Sequence, residues 1–218
     1  MKKIRLFCII IMLLSGISLN AKDMYVSLGG LYTPTFAGSD IASFPIDGGN
    51  SMQFSNYKSN TYGGGVYLGL SNRYLYQMGF LYKFKQMSFD YTNISRAEFE
   101  SIEINSHILA IPISFGLNFL YFEKFSMGIS VGGSFDFMLS NDDYKICDYV
   151  TAKANICVPA FICGLEIHAP YCWVNIRYQL KGSDYTYKYT YMGNKVTADM
   201  PLFHGVEIAV GVNLWEMK

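Results

Sequence analysis

Seven charged residues fall where a strand's alternation turns them to the same side as glycines and serines: Lys83, Lys85, Asp136, Glu166, Arg177, Lys181 and Glu207. Gln77, Asn118, Asn175, Gln179 and Asn213 share that side. Opposite charges gathered away from water form ion pairs, and the same groups strung along an open path would line a pore. Glu166, Arg177 and Glu207 come from three consecutive strands, so two carboxylates can flank one guanidinium, an arrangement that survives burial when fully paired. The histidines offer less. His168 sits beside a short turn, and neither His107 nor His204 belongs to the His-x-Ser pair expected of a base beside a nucleophile. The sequence is therefore expected to be non-enzymatic, with no catalytic residue, metal set or cofactor.

Past the first residues the cysteines are Cys147, Cys157, Cys163 and Cys172, without a CxxC or metal-ligand spacing. Cys163 and Cys172 read as small apolar residues on an outward face. Cys147 and Cys157 flank an exposed loop and could pair in an oxidising compartment.

The elements that position the charges are strands. From Phe125 to Met138, Phe125, Met127, Ile129, Val131, Phe135 and Phe137 alternate with Ser126, Gly128, Ser130, Gly132, Ser134 and Asp136. A period of two belongs to a strand. A polar face of Ser and Gly suits a narrow interior, with lipid against the other face. The same alternation recurs at Met24–Thr33, Tyr62–Leu70, Tyr74–Lys85, Ala110–Phe119, Ala160–His168, Cys172–Lys181 and Val206–Leu214. With the first run this makes eight strands, short turns following the second, fourth and sixth and longer loops the others, the asymmetry of an outer-membrane barrel. The expected loops span Pro34–Asn60, Thr92–Glu100 and Asn141–Asn155, with a fourth near Gly193-Asn194. Tyr74, Tyr76, Phe119, Tyr121, Tyr171 and Trp215 fall near the periplasmic ends, and Tyr82, Phe84, Phe135, Phe137 and Phe203 near the outer rim.

The N-terminus agrees. Lys2, Lys3 and Arg5 precede an apolar run from Leu6 to Leu14 and a small-residue ending at Ala21, which reads as a secretory signal peptide over 1–21 before a barrel domain over 22–218. The apolar run is too short to cross a bilayer, which needs about 20 residues. The chain has 17 Lys and Arg against 17 Asp and Glu, and loss of those three basic residues leaves 14 against 17, so nothing draws it to nucleic acid. Aromatic residues make up 17% of the chain, which suits a lipid-facing surface.

Ile111-Pro112-Ile113 in mid-strand, a short turn, then Lys124-Phe125 opening a strand that reaches Gly132-Gly133-Ser134-Phe135, resemble the PorT-like outer-membrane β-barrels of Bacteroidetes. In size the chain is also similar to the OmpA transmembrane domain and OmpX. The resemblance implies an eight-stranded antiparallel transmembrane up-and-down barrel and, if it extends to activity, a part in protein secretion.

A last feature points to contact with a partner. Tyr185, Tyr187, Tyr189 and Tyr191 alternate beyond the seventh strand, and Met87, Phe89 and Tyr91 beyond the third. Hairpins standing above the bilayer would present these tyrosines as an exposed row, a surface both apolar and hydrogen-bonding. The alternative is that they pack on one another over the barrel mouth. The expected partners are outer-membrane lipid and an extracellular or secretion-machinery protein. The competing functions are a narrow channel and, third, a lipid-modifying enzyme.

Overall fold

The computed structural model describes residues 24–37, 42–46, 50–93, 98–122, 125–139, 143–146, 150–200 and 202–217; the expected signal segment lies outside them. The strands in chain order are β1 (Met24–Ala37), β2 (Ala42–Ile46), β3 (Asn50–Ser71), β4 (Tyr74–Asn93), β5 (Glu98–Phe122), β6 (Phe125–Met138), β7 (Asp143–Lys145), β8 (Val150–Ala154), β9 (Cys157–His168), β10 (Cys172–Lys181), β11 (Tyr185–Tyr191), β12 (Asn194–Asp199) and β13 (Phe203–Met217). Eight of them, β1, β3, β4, β5, β6, β9, β10 and β13, pair antiparallel in a ring that β1 closes by bonding both β13 and β3. Closure leaves no open edge, the condition for a sheet to sit in lipid.

The two faces separate as the alternation demands. Along β6, Ile129, Val131 and Phe135 stand exposed outside while Ser126, Ser130, Ser134 and Asp136 are buried inside. Leu28, Phe80, Phe115, Ile176, Val210 and Leu214 extend the outer band onto other strands. Exposed apolar side chains on every ring strand are what a lipid-facing surface requires. Tyr74, Tyr121, Phe122 and Tyr171 are exposed at the end that carries the short turns. The β3–β4 turn is fixed there by the Tyr74 amide donating to Asn72 Oδ1 at 2.7 Å. One expected rim residue is placed differently. Phe203 is fully buried inside the barrel, because its position opposite Lys181 gives it that residue's inward face.

The far end departs from the sequence expectation. The segments expected as loops over Pro34–Asn60, Thr92–Glu100 and Asn141–Asn155 are largely strand: β3 begins at Asn50, β4 runs to Asn93, β5 begins at Glu98, and β7 and β8 occupy part of the third. About 9–11 residues suffice to cross a bilayer. The 25 residues of β5 and 22 of β3 therefore carry the wall well past it. A second sheet in the order β12-β11-β8-β7 stands on the same end. Its β11–β12 hairpin closes through Met192 and Gly193, both at positive φ (51° and 73°), the twist a two-residue hairpin turn requires.

Candidate functional site: the filled lumen

All seven charged residues expected on the inner face are buried in the barrel, and the structure sorts them into two groups. The first surrounds Arg177, about midway along β10. Its Nη2 donates to Glu166 Oε1 and to Gln77 Oε1, each at 2.6 Å, and its Nη1 lies 3.7 Å from Glu207 Oε1. The register explains the meeting: on β10, Arg177 stands opposite Glu207 of β13, and Asn175 opposite Glu166 of β9. Ser114 Oγ donates to Glu166 at 3.2 Å, Ser130 Oγ donates to the same oxygen, and His168 Nε2 lies 3.4 Å from the other. A charge cluster so deeply buried is stable only when its lone pairs and protons are engaged.

The second group lies toward the extended end. Lys181 Nζ bridges Asp136 Oδ2 at 2.8 Å and Asp184 Oδ1 at 2.9 Å. Lys83 reaches Asp136 at 3.5 Å, and Lys85 pairs with Asp184. Asp184 was not foreseen from the sequence. It sits between β10 and β11, past the end of the alternation, yet it is fully buried. Burial alone would raise its carboxyl pKa, but Lys181 and Lys85 override that and hold it below the ordinary carboxylate range.

Aromatic rings close both ends. Toward the short turns, Trp173 donates to Ser27 Oγ at 2.8 Å and meets Tyr67 edge-on, ring centroids 4.7 Å apart. Trp173 lies against Gly29, where an added Cβ would come within 2.9 Å of the indole, so the glycine is needed for this approach. Toward the extended end, Phe203 lies under Tyr57 and also receives the Lys85 ammonium 4.2 Å from its centroid. Above it Tyr187 stacks on Phe54 at 4.6 Å and 13°, and its hydroxyl bonds that of Tyr57 at 3.0 Å.

Of the two readings of the tyrosine row, the rings packed over the barrel mouth are the one the structure shows. Tyr185 and Tyr187 are buried, Tyr185 bonding Ser106 at 2.6 Å, and Tyr189 packs against Phe44. Tyr191, at the hairpin tip, is partly exposed. Parity did not decide this, because Gly182, Ser183 and Asp184 break the alternation between β10 and β11.

His107 and His204 face outward, where their Nδ1 atoms bond the hydroxyls of Tyr82 (2.5 Å) and Tyr178 respectively. Cys163 is half-buried and Cys157 and Cys172 are exposed, all three free thiols, while Cys147 lies outside the described residues. Among the described residues no three His, Cys, Asp or Glu side chains gather as a metal site.

The fold defined by this ring is an eight-stranded antiparallel transmembrane-type β-barrel. Comparison with solved structures agrees. The chain is similar to the outer-membrane protein AlkL in lipid bilayers, at 11% identity and a TM-score of 0.50, with 91% of this chain and 92% of that one covered. It also matches the transport unit of the autotransporter AIDA-I from Escherichia coli, at 9% identity, TM-score 0.34 and coverage of 90% and 92%. A third match is the outer-membrane protease OmpT from Escherichia coli, at 10% identity, TM-score 0.33 and coverage of 90% and 96%. No family model and no curated protein matches.

Proposed function

We propose that this chain is a non-enzymatic outer-membrane barrel with a closed lumen, which holds a rigid sheet above the outer leaflet as a surface for interaction. The observation that carries this reading is the filled cross-section. Trp173, the Arg177 cluster, the Lys181 network and the Tyr187 stack succeed one another along the axis, each joined to the wall by the contacts above. An eight-stranded barrel is just wide enough for its side chains to fill it. A narrow channel would need this sequence of layers to part. Membership of the PorT-like barrels, with the secretion partner it implies, is the alternative role for the same scaffold, resting on the Ile111-Pro112-Ile113 and Gly132-Gly133 motifs.

Reconstitution in planar bilayers tests the closed lumen. Folded protein should give no unitary current steps at moderate voltage. Regular steps that vanish on boiling the sample would mean a conducting pore and refute the plug.

A further inference from the structure

Past the membrane-crossing stretch the wall is no longer closed all round. β6 ends where Met138 pairs with Ile108, and the last bond from that side is the Leu139 amide donating to His107 O at 2.8 Å. β5 continues beyond this point, from Ser106 up to Glu98, paired on one side only, with β4. The N–H and C=O groups on its other side bond no described residue, so the stretch is a sheet edge open to a further strand.

Three other edges exist among the described residues, and each is less suited to take a strand. β7 is three residues long, β2 contains Pro45, and β12 mixes Lys195 with Asp199. The β5 stretch holds no proline, glycine or lysine, and its register with β4 runs without a shift from Glu98 to Ala110. Ile102 and Ile104 are buried on its inner side, while Phe99, Ser101, Glu103 and Asn105 stand exposed.

Two carboxylates give this edge its charge. Glu103 lies on the outer face and Glu100 is exposed nearer the end of the strand, and neither forms an ion pair with a described residue. Asp90 on β4 is diagonal to Glu103 and accepts from the neutral Asn56 amide at 2.7 Å, so it adds to the negative charge. Lys58 on β3 is separated from Glu103 by Ser88, two strand spacings or about 9–10 Å away.

We propose that the open edge of β5 takes up an extended basic segment of a partner protein as an added antiparallel strand. Main-chain bonds supply affinity in such an addition, and alternate side chains supply the choice of partner. The positions opposite Glu103 and Glu100 require Lys or Arg, and those opposite Ile102 and Ile104 require apolar residues, since they turn inward. A second copy of this chain does not fit, because antiparallel pairing of two β5 edges would crowd the same carboxylates together. The inference rests on the surface-interaction reading above, and it names the surface and the chemistry of its partner.

The probe is the fluorescein-labelled peptide Thr-Val-Lys-Val-Thr-Lys-Val, which sets its lysines opposite Glu103 and Glu100. Its binding to the full chain in neutral detergent is read by fluorescence anisotropy. Saturable binding is expected, weakened by raised salt. The E100K/E103K variant should bind roughly tenfold more weakly, as reversal of two exposed ion pairs predicts. Two versions of the peptide, N-methylated at alternate residues in opposite phase, test strand addition itself. The version whose methyl groups face β5 should not bind, and the one whose methyl groups point away should. No saturable binding, binding that E100K/E103K leaves unchanged, or equal behaviour of the two N-methylated versions would each overturn the proposal. A dimer of the folded protein that the peptide dissociates would assign the edge to a second copy and overturn it as well. The gel mobility shift on boiling, measured on wild type and variant, reports the barrel, so failure of the edge site and failure of the membrane-barrel reading are told apart.

Discussion

Arg177 is the residue on which the lumen depends most. It is about 1% exposed and stands between Glu166 and Glu207, so its loss strands two carboxylates in a space that water does not reach. Removing one partner from a buried ion pair costs about 3–5 kcal/mol. Arg177→Ala should lower the unfolding free energy read from urea titration of the folded band by that much relative to Lys153→Ala, a change at an exposed position. Equal midpoints would mean that the cluster is incidental. Gly29→Val should act on the neighbouring layer, because the new side chain meets the Trp173 indole and the Val210 carbonyl, the latter 2.8 Å from the added Cβ. Overpacking of this kind costs about 1–3 kcal/mol, and the indole emission of Trp173 should shift with it. The seven lumen charges were legible because alternation alone fixes their face. Asp184 was not, since it follows Gly182 and Ser183, where no alternation remains to assign a face.

At the scale of elements, the extension is where sequence and structure part. The wall of β3 changes face between Ser55 and Lys58, where the register shifts and Asn56 takes a φ of 54°. Tyr57 and Ser59 bury their odd-numbered side chains, and beyond the shift Met52 and Phe54 bury even ones. A bulge adds one residue to one strand and reverses the alternation after it, so no single period runs from Asn50 to Ser71, and the part up to Asn60 reads as a loop while Tyr62–Leu70 reads as a strand. Nothing comparable interrupts β4, whose Met87, Phe89 and Tyr91 continue the buried face of Lys83 and Lys85. Tyr187→Ala should therefore loosen the second sheet, costing about 3–5 kcal/mol there as for a buried aromatic. Limited proteolysis should cut β7, β8, β11 and β12 sooner while the boiled and unboiled gel bands of the barrel stay apart. Asp184 predicts a pH response of the same region. Its carboxyl is held below the ordinary range by Lys181 and Lys85, so its contribution is complete above the unfolded carboxylate value and is lost as pH falls through the folded one. Protease sensitivity of the second sheet should rise on acidification in the wild type, and Asp184→Asn should show that sensitivity already at neutral pH.

For the molecule as a whole, the central claim is that the apolar face looks outward and the charges look inward. Phe80, Ile129 and Leu214 on the outside and Lys83, Glu166 and Arg177 within are the opposite of a soluble barrel's arrangement. Strand number, turn asymmetry and sidedness could all be read from the chain because each follows from a period of two and from where it stops. Of the second sheet only the hairpin over Tyr185–Tyr191 could be read, because β7, β8, β11 and β12 are three to seven residues long and find their order only through pairing. The most direct test is the heat modifiability of the native protein: membranes fractionated into inner and outer, extracted in mild detergent, and run on SDS gels with and without boiling. Enrichment in the outer membrane with a compact unboiled band that moves on heating is the predicted result. A soluble protein whose mobility is indifferent to boiling would contradict the account, and would mean that the face assigned to lipid is the one turned to a core.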